Sequence, residues 1–197
     1  MAKSPNIEIL QNSPVHPWNS SVPIIVNAEK KIFTAFITGS IDEPSHYNEL
    51  CYLLHTSNEN DLFILHINTP GGIIDSAFMI SDAIKHSKGR VKGRLSGTVA
   101  SAGTIIAMQC HELEVADHLS FMIHNYSGGM AGKGHEMKAR QRFTDIHLND
   151  AFKSFYKGFL SSEEMDSVID GTDLWMGSDE VNKRWKKRLH SLKVNNI

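Results

Sequence analysis

The chain has 197 residues, 41% of them hydrophobic, and a formal net charge of −2 at pH 7. That length supports one domain with a sizeable core. The near-neutral charge argues against a nucleic-acid protein overall, and no run approaches the roughly eighteen apolar residues of a membrane span.

Residues 1–28 carry Pro5, Pro14, Pro17 and Pro23 among several Asn and Ser, and read as an irregular N-terminal arm. The stretch Met1-Ala2-Lys3-Ser4-Pro5 has no apolar segment before a small-residue cleavage site, so no signal peptide is expected. Residues 29–197 read as a single domain, with no composition shift or internal repeat. Lys31 to Thr38 predicts a strand ended by Gly39, and Glu43 to His55 has helical spacing through Tyr47, Leu50, Cys51 and Leu54. Asp61 to Ile67 predicts a buried strand. After Pro70-Gly71-Gly72, read as a turn, Ile73, Ala77, Ile80 and Ile84 step at helical spacing to Lys85. Val91 to Leu95 is a strand, Ala100 to Met108 a buried helix, and Leu119 to Ile123 a strand. Ser127 to Gly134 is too glycine-rich for a helix. A long amphipathic helix follows from His135 to Phe159, Ser161-Ser162-Glu163-Glu164 reads as a helix cap, and Ser178 to Arg188 is a basic helix. Strands alternating with helices give an α/β class with mostly parallel strands. Cys51 and Cys110 sit in apolar patterns and read as reduced core thiols of a cytoplasmic protein rather than a disulfide.

Three polar residues stand in settings that suit nucleophilic catalysis. Ser101 lies in Gly97-Thr98-Val99-Ala100-Ser101-Ala102-Gly103, small residues leading into an apolar run. His124 ends Leu119-Ser120-Phe121-Met122-Ile123, a strand able to deliver it rigidly, and Asp173 opens Asp173-Leu174-Trp175-Met176. Serine alone is a poor nucleophile; it needs an imidazole to take its proton and a carboxylate to fix the imidazole tautomer. Asp170 is a rival acid, since both aspartates flank Gly171. The Gly71-Gly72 pair can expose backbone amides to a developing oxyanion. Gly72 and Ala102, the residue after the serine, are the two candidate donors. An α/β-hydrolase would show Gly-x-Ser-x-Gly and the order Ser, acid, His; here Val99 precedes by two and the acid comes last.

The Pro-Gly-Gly segment, the Ala-Ser-Ala-Gly turn, Met122-Ile123-His124, a glycine-rich stretch before a long helix, and Asp-x-aromatic-Met follow one another over roughly residues 32–182. In this order they resemble the Clp protease proteolytic subunit, the ClpP-like serine peptidases. The resemblance implies the ClpP/crotonase spiral of β-β-α units, with the long helix projecting as a handle. It implies Ser101 as nucleophile, His124 as base and Asp173 as acid, the last because the family's acid lies two positions before an aromatic. It further implies polypeptide substrates, homo-oligomeric rings, typically heptameric and stacked through the handles, and a separate ATP-driven unfoldase. No cofactor or metal is needed. Val181-Asn182-Lys183-Arg184-Trp185 replaces the family's usual glycine-hydrophobic-x-aspartate turn, which suggests a divergent copy such as a phage-encoded one.

Other chemistries fit less well. His111-Glu112 and His135-Glu136 lack the second histidine of a zinc motif, because Val115 and Ala139 occupy those positions. No Gly-Lys-Ser/Thr follows the glycines, so a phosphate loop is not expected. The basic run Lys183, Arg184, Lys186, Lys187 and Arg188 around Trp185 reads as a solvated helix face. Two further classes stay open: a crotonase-fold acyl-CoA enzyme sharing the oxyanion scaffold, and a catalytically silent structural subunit of a Clp-type ring.

Overall fold

Side chains alternate between buried and exposed along three long strands, and this alternation sets the sheet on which everything else is built. In the computed structural model, which describes residues 7–9, 24–27 and 31–194, these are β3 (Ile32–Ile41), β4 (Leu62–Gly72) and β5 (Arg90–Ala100). They pair in parallel, Ala35 with Leu65 and Leu65 with Gly93. Ala35, Ile37, Phe63, Leu65, Ile67, Val91 and Leu95 all turn to one buried face. The crossovers are helical: α1 (Asn48–His55, led in by a 3-10 turn over Pro44–Tyr47), α2 (Ile74–His86) and α3 (Ala102–Gln109). Their Leu50, Leu54, Ile80, Ile84, Ile105 and Ile106 cover that face. Cys51 and Cys110 are buried free thiols, and burial pushes both up to about 12.

Among the described residues the sheet has eight strands, ordered β1 (Ile7–Ile9), β2 (Ile24–Asn27), β3, β4, β5, β7 (Ser120–Ile123) and β8 (Leu174–Met176), with β6 (Glu112–Val115) also on β5. Two stretches expected to be irregular are therefore strands. Ile7–Ile9 and Ile24–Asn27 pair antiparallel and extend the sheet beyond β3, as their β-branched residues allow. The remainder of the 1–28 arm lies outside the described residues. The expected strand end at Gly39 is a register shift instead: pairing lapses after Thr38 and resumes at Ser40, with Gly39 at φ 75 supplying the bend. The expected Pro-Gly-Gly turn likewise continues β4, with Gly71 and Gly72 opposite Ser40 and Ile41.

β6 was not expected from the sequence. It repeats Glu-Leu-Glu-Val, and its two glutamates sit across from cations of β5. Glu112 meets Arg90 at 3.0 Å, and Glu114 meets Lys92 at 2.6 Å and Arg94 at 3.1 Å. Cross-strand charge pairs thus support a strand that is too polar to read as one.

The long helix α4 spans Gly134–Phe155, ending four residues before the spacing suggests. Tyr156 caps it, Gly158 turns at φ 76, and Arg188 donates to the Phe155 and Lys157 carbonyls at 2.5 and 3.2 Å, so the chain leaves the helix before Phe159. Its two halves differ. Leu148 and Phe152 are buried, whereas Phe143 (68% exposed) and Ile146 (60%) lie on a part that projects as a handle. α5 (Ser162–Ile169) begins with the predicted cap: Ser161 Oγ accepts from the Glu164 N–H, and Glu164 accepts from the Ser161 N–H. α6 (Ser178–Val194) is not simply a solvated basic face. Arg184 forks onto Glu164 with two bonds of 2.7 Å, and Arg188 is buried against Trp185 and the Met108 carbonyl. No helix among the described residues is long and apolar enough to cross a membrane.

Candidate active site

Ser101 stands where β5 turns into α3. Its backbone adopts φ 52, ψ −126, a conformation that costs a non-glycine residue about 1–3 kcal/mol and persists only where neighbours enforce it. They do so here. The Ser101 N–H donates to the Met122 carbonyl at 2.9 Å, and the Ser101 carbonyl accepts from the Thr104 N–H at 2.9 Å and the Thr104 hydroxyl at 2.7 Å. Thr104 Oγ1 also lies 2.6 Å from the Tyr156 hydroxyl. Since a hydroxyl has one proton and Thr104 gives its own to Ser101, Tyr156 donates to Thr104. Burial pushes the Tyr156 phenol well up and keeps it a donor. Gly71 packs directly behind the serine: a Cβ there would lie 2.6 Å from Ser101 Cβ and 3.1 Å from Oγ.

Strand register brings the next two residues to the serine. β7 pairs with the end of β5 in parallel, Ala100 opposite Met122, so the residues just past each strand end are neighbours. His124 Nε2 is 2.7 Å from Ser101 Oγ, a short hydrogen bond. β8 pairs with β7 antiparallel, Ile123 opposite Leu174. One further step along that ladder sets His124 across from Asp173. Asp173 Oδ1 lies 4.0 Å from His124 Nδ1, ion-pair range but longer than a hydrogen bond, and its side chain is 56% exposed. Asp170 instead caps the end of α5, its N–H bonded to the Asp166 carbonyl. Asn125 ties that end of α5 to the site by donating to the Ile169 carbonyl at 2.7 Å.

Gly72 and Ala102 share one cavity with Ser101 and His124, of about 750 Å³. Ala102 is the first residue of α3, so its N–H has no acceptor within the helix. In the β3–β4 ladder the Ile41 carbonyl accepts from the Ile73 N–H at 2.8 Å. Successive amides of a strand point to opposite edges, so the Gly72 N–H is directed away from β3, toward the β5 side where Ser101 lies. The cavity extends beyond these residues over Ile74 and Phe78 of α2 and His147 and Phe152 of α4. Around Ser101, sequence reasoning missed Thr104, Asn125 and Tyr156, which carried no local signal. Gly71 was named as half of the Gly-Gly pair, but not its close packing behind the serine.

A serine hydroxyl bonded to an imidazole, with a carboxylate beyond it, on a mostly parallel α/β sheet, is the layout of serine hydrolases. Residues 24–180 match the Clp protease family model, and the chain belongs to that family. Among its relatives, ATP-dependent Clp protease proteolytic subunit 2 of Pseudomonas aeruginosa is 28% identical over 155 residues, 77% of each chain. Proteolytic subunit 3 of Rhizobium meliloti is 26% identical over 170 residues, covering 82% of this chain and 86% of the relative. The proteolytic subunit of Streptococcus pyogenes is 26% identical over 160 residues, 74% and 77% of the two chains.

Proposed function

We propose that the protein is a Clp-type serine endopeptidase with Ser101, His124 and Asp173 as its triad. The observation that carries this reading is the 2.7 Å contact between Ser101 Oγ and His124 Nε2 at a strained strand-to-helix turn. Ser101 Oγ attacks a peptide carbonyl carbon while Nε2 takes its proton. The amides of Gly72 and Ala102 stabilise the resulting oxyanion. The protonated imidazole then gives its proton to the leaving amine, and the acyl-enzyme forms. Water, deprotonated by the same nitrogen, attacks the ester and regenerates the serine. Asp173 orients the Nδ1–H and stabilises the imidazolium. The 4.0 Å gap is of the kind that tightens when substrate binds, because catalytic hydrogen bonds are often long in free enzymes. No step requires a metal or organic cofactor.

The assembled form of this reading is a homo-oligomeric ring, heptameric and stacked, enclosing the sites in the cytoplasm. The exposed Phe143 and Ile146 of the handle support it, as a projecting helix with large apolar residues in water favours a second subunit. The relatives are named ATP-dependent, which supports an ATP-driven unfoldase as feeder of polypeptide substrates. No nucleic acid enters this scheme.

The test is hydrolysis of a fluorogenic peptide and labelling by a fluorophosphonate, wild type against Ser101→Ala, with the assembly mass measured on the same sample. Loss of a triad nucleophile costs about 10⁴- to 10⁶-fold in rate. Turnover unchanged in Ser101→Ala ends the reading. A folded wild-type chain that neither labels nor cleaves points to the silent structural subunit or the acyl-CoA enzyme.

A further inference from the structure

Residues 125–133 leave β7 directly after His124 and reach α4 without regular structure, and Asn125 to Met130 line the cavity. Packing holds only the start of this wall, where Tyr126 lies half-buried against the core; a Cβ on Gly128 or Gly129 would meet nothing within 4 Å. Polar bonds add to that hold. Asn125 Nδ2 donates to the Ile169 carbonyl at 2.7 Å, and Asn125 Oδ1 accepts the Tyr126 N–H at 2.8 Å. The Tyr126 phenol then reaches across to the handle, where it donates to Asp145 Oδ1. Gln141 Nε2 closes the triangle, donating to the phenol oxygen at 2.5 Å and to Asp145 Oδ1 at 2.8 Å. Gln141 and Asp145 are four residues apart and share a face of α4. The hydrogen bond to Asp145 raises the phenol's pKa and keeps it a donor through neutral pH.

We propose that Asp145 and Gln141 act through Tyr126 as positioning residues that preset the cavity wall at 125–130 for an extended peptide. A substrate strand that adds to a wall already fixed need not order it, and that ordering is a cost charged to binding. His124 is held independently by β7, so the clamp governs substrate affinity more than the chemical step. This inference rests on the peptidase reading, and it locates a substrate-positioning role on the handle helix, away from Ser101.

The experiment uses the full chain as wild type, Asp145→Ala, Asp145→Asn, Tyr126→Phe and the double variant Tyr126→Phe/Asp145→Ala. It reads KM and kcat on an extended fluorogenic peptide, the rate of Ser101 labelling by a small fluorophosphonate, and amide hydrogen exchange over 125–133. Loss of the hydrogen bond in Asp145→Ala should raise KM about five- to tenfold with kcat changed much less. Asp145→Asn keeps an acceptor and should recover most of that loss. The double variant should be no worse than either single one, because both remove the same bond. Exchange over 125–133 should speed up in Asp145→Ala, while labelling stays within about twofold, since the probe engages only the serine neighbourhood. Unchanged exchange, an unmoved KM, or additive losses in the double variant overturn the clamp. A wild type that neither labels nor cleaves fails the peptidase reading and the clamp's role in it together; an active wild type with an indistinguishable Asp145→Ala fails the clamp alone.

Discussion

Gly71→Ala is the substitution that asks most directly whether Ser101, the proposed nucleophile, is placed by the sheet. The added Cβ would sit 2.6 Å from Ser101 Cβ, 3.0 Å from the Ala100 carbonyl oxygen and 3.1 Å from Ser101 Oγ, at a backbone φ of +102. Carbon atoms in ordinary contact are about 3.5–4.0 Å apart, so an overlap of roughly 1 Å must be relieved. Neither partner can yield cheaply: one is main chain, the other belongs to a residue already pinned at φ 52. Relief therefore moves Ser101 away from His124, and a displacement of about 1 Å at a reacting atom costs about 10²-fold in rate. Crowding adds about 1–3 kcal/mol of destabilisation and the left-handed backbone a further 1–2, roughly. Gly39→Ala separates the two contributions. It has φ +75 but nothing within 4 Å of the new methyl, so it should lose about 1–2 kcal/mol and keep its activity when folded. The assay is urea denaturation of both variants, followed by fluorophosphonate labelling and peptide kcat/KM under conditions where each is folded. A folded Gly71→Ala that labels within about threefold of wild type refutes the argument, as does an equal loss of activity in Gly39→Ala.

Asp173→Asn should lower kcat by about four orders of magnitude, by favouring the wrong histidine tautomer, while Asp170→Asn leaves it within about threefold; peptide kinetics with the opposite ranking would overturn the register argument. Arg184 holds the Glu164 carboxyl down to about 2 from its ordinary 4.5. A depressed carboxylate contributes stability that is present above 4.5 and fades as pH falls toward 2. Once solvent screening at this partly exposed pair is allowed for, the contribution is about 1–2 kcal/mol. The stability gap between wild type and Glu164→Gln, read by denaturant melts, should therefore shrink from pH 7 to pH 3; a gap independent of pH means that the ion pair contributes nothing. Phe143→Glu or Ile146→Glu, at exposed handle positions, should split stacked rings and lower peptidase activity with Ser101 untouched. Sedimentation decides this, and a wild type that is monomeric and active at micromolar concentration removes the handle's role in assembly.

The sheet's three long strands were legible as apolar runs and α1, α2 and α4 from helical spacing, because burial on one face imposes that period, while α3 showed as an apolar run, α5 by its cap and α6 as a basic helix. The pairing of Ser101 with His124 was anticipated from local motifs, Ser101 in a small-residue turn before an apolar run and His124 at the end of an apolar strand. The choice between Asp173 and Asp170 could not be made from local residues, as both flank Gly171 and both suit a turn. It depends on β8, a strand of three residues whose pairing with β7 joins positions about fifty apart in the chain. β6 escaped notice for a different reason: its glutamates become favourable only opposite Arg90, Lys92 and Arg94. The positive φ of Ser101 has no sequence signal, since serine does not favour that conformation and only the surrounding bonds impose it. The amphipathic pattern of the long helix is divided in the fold: Phe152 and Tyr156 belong to the core, while Phe143 and Ile146 are exposed.

The 2.7 Å contact between Ser101 and His124 is thus a consequence of one short strand pairing, and that pairing needs to be specified with care. β5 meets β7 over only Thr98, Val99 and Ala100. A slip of one residue would turn His124 to the other face of the sheet, and a slip of two would keep the face but move the imidazole by about 6–7 Å, far beyond hydrogen-bond reach. Two features fix the register. Phe121 is fully buried and packs against Phe159, at 5.8 Å between ring centres, so a slip would expose it. Just before the strand, the Leu119 N–H donates to Ser178 Oγ at 3.0 Å, and Ser178 Oγ donates to the Ala116 carbonyl at 2.7 Å, which pins the loop between β6 and β7 to the start of α6. Ser178 lies far from Ser101 in the chain and does not line the cavity, yet it helps decide where His124 falls. The placement of His124 beside Ser101 is therefore a property of the whole sheet and its last helix, not of the residues next to it in the chain.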